Sequence, residues 1–288
     1  MRKKRIQSST RKTSSSTCLR FIGVSLSGGK SDRACVAVVD YFPDFQGPGK
    51  GKLFLSQLIE KITAEEHISA DLKIHEIIAH YQDQAKSIAF DVPLSLPKCM
   101  TCKLKCPGYE SCNEKEIKYI RALYQKDMEK KKPKKMYTPY TQRCVDAYLA
   151  STEPEIDVQH ALGANLAPIT TRGMFIARRL QLKTLEVNSR LSVWRLGQTL
   201  KVNKTHLKVF KNSVGGDEAR VAILHAMSEK WNLFFYQQDL KTLNENYYAF
   251  DAFICAYVGY LEYQGETESR PSGFPRNESF IEIPMRWN

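Results

Sequence analysis

No stretch of this 288-residue chain approaches the roughly 20 consecutive apolar residues that a membrane-spanning helix requires. The apolar segment of a secretion signal is also missing: MRKKRIQSST is followed by RKTSSST, which reads against export. Histidine is scarce, with six residues and no spaced cluster, so none is assigned a role. No internal repeat is visible. Acidic residues are absent from residues 1–20, which carry seven Lys or Arg.

The hydrophobic content, 42%, is enough for a sizeable core, and the length suits one large domain or a domain with insertions. The formal net charge is +12 and the sequence pI about 9.2. Much of that excess lies in residues 1–18, a Ser/Thr/Lys/Arg-rich stretch expected to be a disordered tail. A second basic run covers residues 130–135. Such a balance favours polyanionic partners, nucleic acid first, with a merely solvated tail as the alternative. Four of the eight cysteines fall within residues 99–112. That clustering argues for metal in a reducing compartment rather than a disulfide framework, and places the chain in the cytoplasm.

Strands are expected at 19–26 (LRFIGVSL) and 34–41 (ACVAVVDY), joined as a hairpin, with a third at 53–59. Residues 70–84 carry apolar side chains at helical spacing (Leu72, Ile74, Ile77, Ile78 and Tyr81), and 87–92 (SIAFDV) reads as a buried strand ended by Pro93. Residues 98–140 read as a cysteine-rich, basic insertion with a charged helix near 114–130. Helices are expected at 171–182, 217–230 and 246–263, and a strand at 184–188. Strands come first and then alternate with helices, so the class is α/β, one domain over 19–288.

Three carboxylates stand out. Asp91 ends an apolar strand and precedes proline, where α/β folds place ligands; its bland reading is a turn cap. Asp251 opens a helix with an apolar stripe (Phe250, Phe253, Ile254, Tyr257, Leu261) and a small-residue face (Ala252, Cys255, Ala256, Gly259) suited to close approach to a sheet. Glu186 alternates with Leu185 and Val187, so it points to the other face, into a cleft or into water. Acids gathered from distant segments suit Mg²⁺ or Mn²⁺, and two such ions cleave phosphodiesters.

Six motifs in order, FIGVSLSGGKSDRACVAVVD, SIAFDVPLSLP, YTQRCVDAYL, TTRGMFIARRL, LEVNSRLSVWRLG and FDAFICAYVGYL, spread over residues 21–262. Together they resemble a family of predicted nucleases with a ribonuclease H-like fold, domain of unknown function 429. The resemblance implies a ribonuclease H-like mixed sheet flanked by helices. It also implies acids on the first strand, at Asp91, at Glu186 and on the last helix at Asp251. Two positions depart from it. Ser25 stands where the first metal-binding Asp is expected, and Tyr247 and Tyr248 replace residues that are often acidic or His. Both changes remove charge or ligands from the site; Asp32 and Asp40 are the acids that could substitute.

Cys99, Cys102, Cys106 and Cys112 are spaced as a four-thiolate knuckle, with Pro107-Gly108 as a turn. Zinc is the first choice, and an iron–sulfur cluster also fits the spacing. Ser27-Gly28-Gly29-Lys30-Ser31 lacks full Walker spacing; Lys30 is either a phosphate contact or part of a plain hairpin turn. Arg143 and Arg172 are candidates for holding phosphates, against ordinary pairing with Asp146 or Glu186. The reading is a nuclease-like protein that acts on or binds nucleic acid, with Ser25 weakening its metal site. The alternatives are a non-catalytic nucleic-acid-binding protein of the same fold and an actin-like or kinase-like phosphotransferase using the Gly28–Lys30 turn.

Overall fold

The structure is a computed structural model that describes residues 18–28, 33–47, 50–129, 138–158 and 160–287. Lys30, Asp32, the basic run at 130–135 and all but the last residue of the basic tail lie outside the described residues.

Six strands form one mixed sheet: β1 (Leu19–Leu26), β2 (Ala34–Phe42), β3 (Lys52–Ile62), β4 (Ala85–Phe90), β5 (Thr184–Glu186) and β6 (Leu233–Phe234). Their order across the sheet is β5-β4-β1-β2-β3-β6. The first three form an antiparallel meander. β4 lies parallel to β1, β5 parallel to β4, and the short β6 parallel to β3. The helices are α1 (Ala70–Tyr81), α2 (Lys98–Thr101), α3 (Lys115–Glu129), α4 (Cys144–Thr152), α5 (Leu166–Ala177), α6 (Ser189–Thr199), α7 (Lys204–Val209), α8 (Gly216–Lys230), α9 (Gln237–Glu245) and α10 (Tyr247–Gln264). The chain is thus α/β, with a mixed sheet flanked by helices. No described helix is long and apolar enough to cross a membrane.

Strand alternation sends side chains to two cores. Ile22, Val24 and Leu26 of β1, with Ile88 and Phe90 of β4, meet Ile74 and Ile78 of α1 and Ile176 of α5 on one face. Cys35, Ala37 and Val39 of β2, with Ala89 of β4 and Leu185 of β5, meet α10 on the other. α10 is apolar nearly all round and lies buried across β1, β2 and β4. Its closeness is set at Gly23, where a Cβ would fall 1.9 Å from the Ala252 carbonyl oxygen and 2.4 Å from the Ala256 nitrogen. Only glycine lets the helix backbone sit directly on that strand.

Several bounds shift for local reasons. The strand expected to reach Asn188 stops at Glu186, because the Asn188 side chain accepts a hydrogen bond from Leu191 N and caps α6. The helix expected from 171 starts at Leu166, with Pro168 in its first turn, where a missing N–H costs little. Within the segment read as an insertion, α3 packs Ile120 against Val145 and Leu149 of α4 and against Phe274, Ile281 and Ile283 near the C-terminus.

Candidate functional site

β1 and β4 are parallel neighbours, with Val24 opposite Phe90. Both of those side chains face α1 and α5, so the next residues, Ser25 and Asp91, face the α10 side. The Asp91 N–H donates to the Val24 carbonyl at 3.1 Å, which holds the two chain ends together. Asn246 caps α10 by accepting from Tyr248 N and Ala249 N, and sets the first turns so that Asp251 comes over the same strand ends. Ser25 and Asp251 are buried, at 2% and 1% exposure.

The charge at the centre of this group is Lys211, which follows Phe210 at the end of α7. Its Nζ donates to Asp251 Oδ2 at 2.7 Å, Ser189 Oγ at 2.7 Å and Asp91 Oδ2 at 3.2 Å. An ammonium has three N–H bonds, and all three find an oxygen here. Ser189 completes the arrangement: its N–H donates to Asp91 Oδ1 and its hydroxyl to Asp91 Oδ2, both at 2.7 Å. Every oxygen of the Asp91 carboxylate is therefore engaged by the protein, while Asp251 Oδ1 is buried without a partner among the described residues.

Burial is the main influence on both charges. It pushes the Asp251 carboxyl up to about 7, against the pull of the Lys211 ammonium and with further help from the Asp91 carboxylate. For Lys211, burial opposes the charge, but Asp251 and then Asp91 outweigh it and hold the ammonium above its ordinary range. The neighbouring Cys255 thiol is pushed up by burial and by both carboxylates.

Glu186 does not join this pair. It stands opposite Phe90 in the sheet, so strand parity turns it to the other side. Its carboxylate accepts two hydrogen bonds from Arg143, at 2.6 and 2.8 Å, and one from Leu94 N at 2.7 Å. Arg143 also donates to Asp146 at 2.8 Å and to Ser95 at 3.1 Å. Burial disfavours the guanidinium, but Glu186 and Asp146 outweigh it and raise its pKa. Arg143 and Glu186 are thus a structural pair fixing the loop after β4. Arg172 donates to Asp71 at 2.7 Å and to the Ser27 and Arg33 carbonyls at 3.1 and 3.2 Å, so it clamps the two ends of the β1–β2 turn. Asp40 cannot stand in for the missing acid: it faces Arg20 across the hairpin at 2.8 Å, far along the strand from Ser25.

Ser25, Asp91, Glu186, Arg190, Lys211 and Asp251 all line one cleft of about 690 Å³. Burial raises the Tyr247 phenol, and Arg190 sits close enough to Lys211 and Tyr247 to oppose, weakly, the upward shift of both. No family model, curated protein or solved structure matches this chain. Among the described residues, no group of three or more His, Cys, Asp or Glu is arranged to hold a metal ion.

Lys211 and Ser189 carry no signature in the sequence. Lys211 lies in a plain VFKNSVGG stretch, and a search for grouped acids passes over the cation that joins them.

Proposed function

We propose that this chain is a ribonuclease H-like protein that binds nucleic-acid phosphodiesters and does not perform two-metal cleavage. The observation that carries this reading is Lys211 Nζ, held between Asp91 and Asp251 at 3.2 and 2.7 Å. The fold reading draws on the placement of four positions: Ser25 on the first strand, Asp91 after the fourth, Glu186 ending the fifth and Asp251 on the last long helix. That is the placement the six sequence motifs imply.

The residues present do not fit a pair of divalent ions. Such ions need several hard oxygen ligands. Here Ser25 offers a hydroxyl, both Asp91 carboxylate oxygens are taken, and Glu186 is spent on Arg143. One carboxylate oxygen, Asp251 Oδ1, is left. Lys211 places one positive charge between the buried Asp251 carboxylate and the partly exposed Asp91 carboxylate, which lessens what a metal would supply at this point. The cleft lining itself sets Asp91, Asp146, Asp157, Glu186 and Asp251 against Arg143, Arg190 and Lys211, so the positive charge this reading draws on is that of the whole chain, +12, with seven Lys or Arg in residues 1–20. Phosphate groups are the natural partners of such an excess of positive charge.

The competing reading, a metal-dependent nuclease, draws on the orphaned Asp251 Oδ1. One experiment separates the two. The full chain is titrated with single-stranded, duplex and hybrid oligonucleotides in chelator, and then incubated with the same substrates and Mn²⁺. Binding without divalent ions and no cleavage is the expected result. Deleting residues 1–18 should reduce the salt slope of binding by about 0.7–0.9 for each phosphate that the shortened chain no longer neutralises. Manganese-dependent cleavage that Asp91→Asn abolishes would overturn the reading, and so would a lack of binding to all three substrates.

A further inference from the structure

Five aromatic side chains lie outside all three buried cores: Phe42, Phe45, Phe54, Phe234 and Tyr236. A covered ring of this kind buries about 150–250 Å², so five left outside a core mark a surface with a partner. The sheet explains where they go. Leu53 and Leu55 of β3 and Leu233 of β6 enter the α10-side core, so strand alternation turns Lys52, Phe54 and Phe234 to the opposite face. Phe54 and Phe234 are partners across β3 and β6, and Phe42 pairs with Lys52 across β2 and β3. The core that α1 and α5 build on that face takes in Val36 and Val38 but none of these rings.

The rings meet in series. Centroid to centroid, Phe45 stands 5.1 Å from Phe54, Phe54 5.6 Å from Phe234, and Phe234 5.1 Å from Tyr236. Phe42 joins them at 5.6 Å from Phe54. Phe45, Phe234 and Tyr236 are 50%, 37% and 53% exposed. The Lys52 ammonium lies 5.5 Å from the centroids of Phe45, Phe54 and Phe234 alike, and no carboxylate among the described residues pairs with it.

We propose that this surface is a stacking platform for the bases of single-stranded nucleic acid, with Lys52 placed to meet a phosphate. The proposal rests on the nucleic-acid-binding reading above and adds the strand state and the surface used. Aromatic faces accept any base, since every base has a π-face, whereas a duplex keeps its bases stacked on one another. Two observations select this occupant over a protein. Lys52 sits amid the rings, so a protein interface would have to strip an unpaired ammonium of water near its centre, where lysine is depleted. A phosphate brings the missing anion instead. The edge strand β6 has only two residues, too few to recruit a strand from a second copy. Gln46, Lys50 and Asn232 give the patch a polar, exposed rim, and Asp44 is the acid of the adjoining turn, against Lys50 and Lys52.

The test uses the full chain and fluorescence anisotropy with a labelled single strand and the matching duplex. Phe234→Ala and Tyr236→Ala should each weaken single-strand binding at least about fivefold and leave duplex binding within about twofold of wild type. Tyr236→Phe should bind the single strand as wild type does. Lys52→Gln should lower the salt slope of single-strand binding by about 0.7. If an alanine variant fails to fold, ultraviolet crosslinking of wild type to a bromouracil-containing strand should attach it at Phe45, Phe234 or Tyr236, as mapped by mass spectrometry. Equal losses on both substrates, or none, would overturn the platform and leave the binding reading standing. A wild-type dimer in light scattering that Tyr236→Ala dissolves would make the patch an interface between copies, and would overturn it too. No binding of either substrate by wild type would overturn the binding reading and the platform with it.

Discussion

The Lys211 ammonium lies 2.7 Å from Asp251 Oδ2, and the side chains of Lys211 and Asp251 are only 14% and 2% exposed. The same Nζ reaches Asp91, whose side chain is 15% exposed. A cation on a flexible four-carbon stem thus holds the position between two carboxylates where an acidic centre of this kind would gather metal. The consequence is thermodynamic. Carboxylates drawn together under burial repel each other and lose hydration, and the lysine offsets both costs from within the chain. An ion recruited from solution would have to displace an ammonium whose three hydrogen bonds are all satisfied.

Replacing Lys211 by methionine keeps the stem volume and removes the charge. The buried carboxylates are then left without their cation, and stability should fall by about 3–5 kcal/mol at pH 8. At pH 5.5 the loss should be smaller, because Asp251, already raised to about 7, can take up a proton in place of the lost partner. Urea unfolding at the two pH values measures the difference. A variant as stable as wild type at pH 8 would show that the pair contributes nothing.

Asp251 itself sets a pH dependence. Its folded value of about 7 lies above its ordinary 3.8, so between those values the folded state holds the proton more firmly than the unfolded state. Stability from this group therefore declines as pH rises from about 4 to about 7, with the penalty fully present above that window and absent below it. In Asp251→Asn the group no longer titrates. The stability of wild type minus that of the variant should slope downward across pH 4–7 and be flat from 7 to 8. An upward slope would mean that Lys211, not burial, dominates the carboxyl.

Gly23→Ala tests the contact that brings Asp251 to the strand ends. The added Cβ would meet two backbone atoms of α10, at 1.9 and 2.4 Å, and backbone cannot swing aside as a side chain can. A destabilisation of about 3 kcal/mol or more is expected from denaturant titration, at or above the upper end for overpacking. A loss under about 1 kcal/mol would mean that the helix can lift from β1 at little cost.

Much of this frame is legible in the sequence, for identifiable reasons. LRFIGVSL and SIAF read as strands because their apolar runs are short and bounded by turn residues, and β1 begins and ends at the expected residues. The long apolar helix around Asp251 is visible in its stripe and its small-residue face, and its bounds differ by one residue at each end. What the pattern cannot carry is partner choice across long separations. Lys211 meets Asp91 across 120 positions, and Arg143 meets Glu186 across 43. Neither pair has a local period or spacing. The helices α4, α6 and α7 give no clear periodic signal either, since they are short and their burial comes from neighbours supplied by distant segments.

The most searching prediction joins Ser25 and Lys211. Ser25 stands on the α10 side of β1, beside Asp91 and at the position where the sequence motifs imply an acid. Ser25→Asp alone adds a third carboxylate beside a lysine already shared by the other two. The added charge is expected to strengthen the hold on Lys211, and Mn²⁺ should bind little better than to wild type. Lys211→Ala alone opens the space but leaves two carboxylates, one of them held by Ser189. Only the double variant offers three carboxylates and room for an ion, the hard oxygen set that manganese and magnesium prefer. Calorimetric titration of Mn²⁺ should show binding at least about tenfold tighter than in either single variant, a difference of about 1.4 kcal/mol. The same ion should raise the melting temperature of the double variant and leave that of wild type unchanged. If the double variant is folded by circular dichroism and still binds no manganese, Ser25 does not occupy a metal-ligand position. The lysine would then be an ordinary buried ion pair rather than a replacement for metal.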